Sequence, residues 1–229
     1  MRVHRFYIGQ KVSLTHNLWI HDVHLLHQWL KVLRFNPGQQ VVLFDGVEYE
    51  RLYKITEIKD DEICLDLVTD YARSLPKKEI YLFWGLLKKD KNDWLIQKCT
   101  ELGVKHFVPL LADRSEKTGF NMERAQKIII EAVEQCGRSD LPSVREPLSV
   151  ASAIEHYKDK TMLVVGDQGG GTDIPSNLHS IGVLVGPEGG WSEEERRLFE
   201  SSGLNSLGLH DFTLRAETAC VVSVAKLIQ

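Results

Sequence analysis

Val183-Leu-Val-Gly-Pro-Glu-Gly-Gly-Trp-Ser-Glu-Glu-Glu195 carries an apolar strand into a glycine turn and out into a helix. Gly186-Pro187-Glu188-Gly189-Gly190 is the turn, and its glycines bring bare backbone against whatever lies beside them. Ser192, followed three residues later by Glu195, spells a capping box that starts the next helix. A turn at the carboxyl end of a strand is where α/β sheets bind ligands. Taken alone, two adjacent glycines still favour a tight turn with nothing bound. The spacing is neither GxGxxG nor GxxxxGK[ST], which disfavours a dinucleotide fold and a P-loop. Trp191 beside the turn reads first as packing and second as a stacking platform.

Leu207-Gly-Leu-His-Asp-Phe-Thr-Leu-Arg-Ala-Glu-Thr-Ala219 repeats the pattern: a strand end, a loop, then the apolar helix Cys220–Ile228. Glu217 at a helix start suits the helix dipole. Arg215 does not, so it calls for a partner, either Glu217, Glu188 or a ligand. Working back to Pro76, apolar runs at Ile80–Leu87, His106–Leu111, Met162–Gly166, Ile181–Val185 and Ser206–Leu209 alternate with helical patterns. The latter are Lys91–Leu102, Met122–Cys136, Val150–Tyr157, Ser192–Glu200 and Ala216–Ile228. This rhythm predicts an α/β fold with a parallel sheet covered on both faces. Before Pro76 the chain reads as strands with one helix, His24–Leu33, stopped by Arg34-Phe-Asn-Pro-Gly38. Strands are expected at Gln40–Asp45, Glu48–Lys59 and Glu62–Val68, and Tyr71–Pro76 is a plausible linker. The expected division is residues 1–72 and 73–229.

The composition, 43% hydrophobic and 26% charged over 229 residues, is that of a soluble globular protein. No apolar run approaches the roughly 18 residues of a membrane span. The opening MRVHRFYIGQ lacks the apolar core of a secretory signal. Cys64, Cys99, Cys136 and Cys220 form no CxxC pair, which argues for reduced thiols in a cytoplasmic protein. His21, His24 and His27 lack a completing ligand set, so no metal site is expected. The net charge of −4 argues against an indiscriminate nucleic-acid coat. Even so, Arg2, Arg5, Lys11, Lys31 and Arg34 face Asp22 alone in the first 40 residues, and residues 73–138 form a second basic zone. Two such zones suit phosphate contact. On charge alone, chance clustering on a solvated surface is the plainer reading.

The two glycine-bearing segments resemble the cofactor-binding end of the SPOUT methyltransferases. Within that group the chain is similar to the family of ribosomal RNA small-subunit methyltransferase E, which methylates uridine N3 in 16S rRNA. The resemblance runs through nearly the whole chain. His4-Arg5-Phe6-Tyr7, His24 to Arg34, Gly38 and Phe44-Asp45-Gly46 look like that family's PUA-like barrel. Lys88 to Asp93, Gln97 to Val104, Pro109, Arg114-Ser115-Glu116-Lys117, Glu131 to Arg138 and Pro142 look like its catalytic domain. One departure stands out. The family places an Arg shortly before Leu-Arg-x-Glu-Thr-Ala, whereas here the loop Leu209-His210-Asp211-Phe212-Thr213 is two residues longer and holds none. His210 is the candidate replacement.

The resemblance implies a small PUA-like β-barrel followed by a parallel-sheet domain with a SPOUT trefoil knot, although knots are otherwise essentially absent from proteins. It implies S-adenosyl-L-methionine (SAM) as cofactor, 16S rRNA or the assembled small subunit as partner, and a homodimer. The donor site is expected at Val165, Gly186, Glu188, Gly189, Gly190, Leu207, Gly208, Leu209, Leu214, Ala216 and Ala219. Uracil N3 carries a proton, so the enzyme must create or stabilise its anion with a base or with cations. Arg114, Arg138 and Arg215 are the candidate cations. Glu188, His210 and Glu217 are the candidate proton acceptors, and the residues leave those three open. Arg5, Lys31 and Arg34 in the barrel, with Lys88, Lys89 and Lys91, are expected to meet RNA. Two other functions stand beside this one. An NAD oxidoreductase would need a glycine fingerprint near the first strand, where Ile80–Lys89 offers only Gly85. A non-catalytic RNA-binding module would not need the intact turn.

Overall fold

The computed structural model describes residues 3–9, 12–115, 119–169, 171, 175 and 177–229. Arg2, Lys11, Glu116 and Lys117, all quoted above, lie outside the described residues. The chain forms two compact units, Met1–Leu75 with Val133–Leu141, and Pro76–Ala132 with Pro142–Gln229.

The first unit holds a five-stranded sheet. Its strands are β1 (His4–Tyr7), β2 (Asn17–Ile20), β3 (Gln40–Phe44), β4 (Glu50–Ile58) and β5 (Ile63–Asp70), in the order β1-β3-β4-β5-β2. Only the β1–β3 pair is parallel. Two register shifts along β4 bend the sheet over its core of Phe6, Trp29, Tyr53, Ile55 and Leu65. Asp22 starts helix α1 (Val23–His27) by accepting from the backbone N–H of His24 and Leu25, both at 2.9 Å. The apolar spacing predicted one regular helix to Leu33. Instead the chain widens into a single π turn, Gln28–Val32, closed by Leu33 N donating to Gln28 O at 2.9 Å. Trp29 in that turn is fully buried, with ring centroids 5.0 Å from Phe6 and 5.8 Å from Phe35. Arg34 then stops the helix at φ +56°, a left-handed position normally taken by glycine.

The sequence division assigned Val133–Leu141 to the second unit, but a buried polar network ties it to the first. Glu50, 4% exposed, accepts from the Arg5 guanidinium and from Ser139 Oγ. Arg5 also donates to Arg138 O at 3.2 Å and lies over the Phe44 ring. Glu134 accepts from Tyr7 N at 2.9 Å, and Ser139 N donates to Ser74 O at 2.8 Å. Such pairings are invisible to hydrophobic periodicity.

The second unit carries a parallel sheet ordered β12-β10-β11-β6-β7-β8, with β9 also on β7. In chain order its elements are β6 (Glu79–Gly85), α2 (Lys89–Glu101), β7 (Val104–Leu111), α3 (Met122–Cys136), β8 (Ser143–Val144), β9 (Leu148–Ser149), α4 (Val150–Tyr157), β10 (Met162–Asp167), β11 (Ser180–Val185), α5 (Glu193–Ser201), β12 (Asn205–Gly208) and α6 (Ala216–Leu227). The last four residues of α3 are those that group with the first unit. Leu82, Phe83, Val164, Val183 and Leu184 run through the sheet with almost no exposure, as strands covered on both faces require. Helix α6 packs on α2, β6 and β11, burying Cys220, Val224 and Leu227. Among the described residues no helix is long and apolar enough to cross a membrane.

Two titratable networks yield tests. Glu50→Ala leaves the Arg5 guanidinium without its carboxylate, and losing one partner of a buried pair costs about 3–5 kcal/mol. The denaturant midpoint should fall accordingly, and an unchanged midpoint would show that Val133–Leu141 is not held this way. In the second unit, His106 sits between Glu79 Oε1 (2.9 Å) and Ser143 Oγ (2.8 Å) and stacks on Tyr81 at 4.2 Å. Burial pushes its imidazole below the ordinary histidine range. The unfolded chain therefore binds a proton more readily, so this stabilisation is present above about pH 6.5 and lost as the pH falls below it. A His106→Asn variant should show a flatter loss of thermal stability between pH 7 and 5 than the parent.

Candidate active site

The carboxyl ends of β10, β11 and β12 and the start of α6 enclose a cavity of about 400 Å³. Its walls come from both glycine-bearing segments. Gly186, Glu188 and Gly190 line it from the first, and Leu209, Leu214, Arg215, Ala216 and Ala219 from the second. Of the other residues expected there, Val165 and Leu207 are buried strand residues beside the cavity's lining, Gly208 ends β12, and Gly189 turns outward against Arg114. Reading by motif missed Gly166, Asp167 and Gln168 at the end of β10, together with Arg196, Phe212 and Thr213. The rule that α/β sheets bind ligands at their strand ends could have found the first three.

The turn is braced on three sides. Gly85 ends β6, and a Cβ there would fall 2.5 Å from Pro187 Cδ, so only glycine lets Pro187 lie against that strand. Glu195, 6% exposed, completes the capping box: its Oε2 accepts from Ser192 N at 2.8 Å, while Ser192 Oγ accepts from Glu195 N at 3.2 Å. Its other oxygen accepts from Asp113 N at 3.0 Å, tying the turn to the end of β7. Arg114 donates to Gly189 O at 3.1 Å from outside. Gly190 has φ +67°, which no branched side chain adopts without strain. Trp191 packs edge-on against Phe199 at 5.0 Å and also faces the cavity, so packing and lining are the same ring.

The charges at the site divide sharply. Lys91 Nζ donates to Glu188 Oε1 at 2.9 Å and lies 3.4 Å from Glu217 Oε2, joining a carboxylate from each glycine-bearing segment. The hydrogen bond that Lys91 donates to Glu188, with Glu217 adding to it, raises the Lys91 pKa above the ordinary lysine value and keeps the amine charged. Glu217 Oε2 is buried and makes no hydrogen bond. With Lys91 holding both carboxylates, the Arg215 guanidinium has no hydrogen-bond or ion-pair partner among the described residues while lining the cavity. The same holds for Arg196. In the longer loop, His210 lines the cavity and its Nδ1 accepts from Phe212 N at 3.1 Å.

Several expected residues lie elsewhere. Arg138 belongs to the first unit, 6% exposed, where it forks onto Asp140 at 2.9 and 2.6 Å. It is not among the residues that line this cavity. Arg5 faces Glu50 in a buried pair rather than presenting a phosphate contact, and Lys91 is engaged by its carboxylates. Lys31 and Arg34 are exposed in the first unit, and Lys88 and Lys89 are exposed at the start of α2. Among the described residues no group of three or more His, Cys, Asp or Glu side chains is arranged to hold a metal ion.

Comparison with known proteins gives two family matches: an RNA methyltransferase domain over residues 73–228 and an RNA methyltransferase PUA domain over residues 30–68. The chain is 33% identical over 222 residues to a ribosomal RNA small subunit methyltransferase E of Bacillus subtilis, covering 88% of this chain and 86% of that protein. It is 27% identical over 241 residues to the protein of the same name from Rickettsia conorii, covering 99% and 96%. In three dimensions it is similar to a ribosomal RNA small subunit methyltransferase E of Neisseria gonorrhoeae solved bound to S-adenosyl methionine. The TM-score is 0.88 at 25% identity, over 99% of this chain and 97% of that one.

The brace predicts how the turn fails. Glu195→Ala removes two backbone partners of a buried carboxylate, which should cost about 1–3 kcal/mol of stability. It should also loosen Gly186–Gly190, read as faster amide hydrogen exchange at those residues than in the parent. Parent-like exchange there would show that the capping box does not hold the turn.

Proposed function

The chain belongs to the RNA methyltransferase family, and on that footing we propose that it transfers a methyl group from SAM to N3 of a uridine in small-subunit ribosomal RNA. The observation that carries this reading is the cavity at the strand ends, walled by glycine backbone and apolar side chains with an unpartnered arginine over it.

The residues fit the donor. Gly166 and Gly186 leave room that a side chain would fill: a Cβ at Gly166 would lie 3.2 Å from Leu209 Cδ1, and one at Gly186 would lie 3.3 Å from the Trp191 ring. Trp191, Leu209 and Leu214 offer apolar surface for the donor's purine, and the backbone of the glycine turn offers polar groups for its edges. When bound, SAM supplies an electrophilic methyl group on a sulfonium. The protein's own part is to admit the uracil, hold it in line and help N3 shed its proton. Arg215 is placed to stabilise the uracil anion, since its charge is not already answered by a carboxylate. Glu217 is the proton acceptor we favour, because its Oε2 is buried without a hydrogen bond, and Lys91 fixes its position. Arg114 acts through the turn, by its bond to Gly189 O.

RNA binding is shared between the units. Lys31 and Arg34 of the first unit, with Lys88 and Lys89 of the second, are exposed cations suited to phosphates. Two further features belong to the same reading. One is a knotted second unit: β12 pairs with β10 rather than with β11, and Gly171 lies so close to the β12 end that a Cβ would meet Gly208 N at 2.1 Å. The other is a homodimer through α6, where Val221, Val222 and Ala225 stay only half-buried and Ile228 is exposed. The protein then works on 16S rRNA or the assembled subunit, in the cytoplasm.

Mass spectrometry of small-subunit rRNA after incubation with the protein and SAM should show one methylated uridine, and no methylation would refute the reading. Gly190→Val should abolish SAM binding by calorimetry with the fold retained. Saturation at 100 times Kd should stabilise the parent by about 2.7 kcal/mol and leave this variant unmoved. Arg215→Ala should lower kcat by about 10²-fold with SAM affinity within a factor of two. Lys31→Ala with Arg34→Ala should weaken RNA binding and reduce the slope of log K against log salt by about 1–2 units. An unchanged slope would place the RNA clamp elsewhere.

A further inference from the structure

A second cavity, about 410 Å³, lies in the second unit against the first turns of α2 and α3. The donor-site reading does not use it. Its floor is apolar, from Leu87, Ile96 and Ala125. Its polar lining comes from Lys89, Asp93, Asn121 and Arg124, and Phe120 contributes an aromatic ring. Arg124 donates to Asp93 at 2.7 Å, while Lys89 has no partner among the described residues, so the lining carries one net positive charge. Asn121 accepts from Arg124 N through Oδ1 at 2.8 Å, which leaves its amide nitrogen as a donor with no partner among the described residues. Phe120 is half-buried, set edge-on against Trp84 at 5.8 Å.

A ring face, an amide donor and an unanswered cation over an apolar floor form the recognition chemistry of a splayed-out nucleotide: stacking, an edge contact and a phosphate contact. The methylated base cannot be the occupant. Its N3 must reach about 3–3.5 Å from the donor methyl, so it has to enter the first cavity. Lys91 lines that first cavity, whereas Lys89 and Asp93, on the same helical turn, line the second. The two spaces therefore flank one turn of α2, whose width with side chains is about 10–12 Å. Enzymes that act on an extruded base commonly set their sequence context through the adjoining nucleotide. We propose that the second cavity receives a nucleotide flanking the target uridine, reads its base through Asn121 and Phe120, and holds its phosphate through Lys89. This rests on the methyltransferase reading above.

The test uses the full-length protein and rRNA fragments carrying the methylated uridine, with each flanking base substituted in turn. Asn121→Asp retains an oxygen that can cap α3 but replaces the donor with an acceptor. Lys89→Ala alters only an exposed side chain. One flanking substitution should lower kcat/KM at least tenfold for the parent, and Asn121→Asp should lose that discrimination. Both variants should raise KM for RNA several-fold with the calorimetric Kd for SAM unchanged. Equal discrimination in parent and Asn121→Asp, with RNA KM unmoved in both variants, would overturn the proposal while leaving the methyltransferase reading intact. If the parent transferred no methyl group, that reading would fall, and filter binding of the same fragments would still decide the pocket: parent-like RNA affinity in both variants would overturn it.

Discussion

Pro187 can rest on the end of β6 only because Gly85 has no side chain. That one absence sets the level of the glycine turn relative to the sheet. Glu195 then holds the turn from the α5 side and Arg114 holds Gly189 from outside. Those three restraints fix the turn through the fold's own packing and hydrogen bonds. Gly190 at φ +67° is the corresponding weak point, since the same geometry tolerates no branched residue there.

The second constraint is which of the cations at the two cavities the fold leaves without a carboxylate. Arg5 is bound to Glu50, Arg138 to Asp140, Arg124 to Asp93 and Lys91 to Glu188 and Glu217. A cation paired in this way offers less of its charge to a distant phosphate. What remains at the first cavity is Arg215 and Arg196, and at the second Lys89. In a chain of net charge −4, this placement explains how a polyanion could be engaged at chosen points without general attraction.

Much of this was legible from the residues. The strand–helix alternation after Pro76, the capping box at Ser192 and Glu195, and the pairing of two glycine-bearing segments each rest on local rules that the structure obeys. The first cavity follows, because both segments end strands of one parallel sheet. What escaped was long-range. Arg138 looks like a site residue in sequence, yet it is packed with the first unit because Glu50, Ser139 and Arg5 are complementary across more than 80 positions of chain. Gly85 looks like a poor nucleotide fingerprint, and its meaning emerges only beside Pro187. The π turn at Gln28–Val32 escaped because apolar spacing does not register one extra residue per turn when Trp29 must reach the core.

The wall between the two cavities is itself built for stiffness. Asn92, 5% exposed, accepts from Trp84 Nε1 at 2.9 Å and from Leu87 N at 3.2 Å, and donates to Leu87 O at 2.8 Å. These bonds lock the link from β6 to α2, so the first turn of α2 cannot drift without leaving a buried amide unsatisfied. Lys91 on that turn faces the carboxylates of the first cavity, while Lys89 and Asp93 face the second. A displacement of the turn would therefore disturb both spaces together. Rigid coupling of this sort suits a reaction in which a base and its neighbour must be placed in one motion, because an error of about 1 Å at the reacting atoms is enough to cost rate.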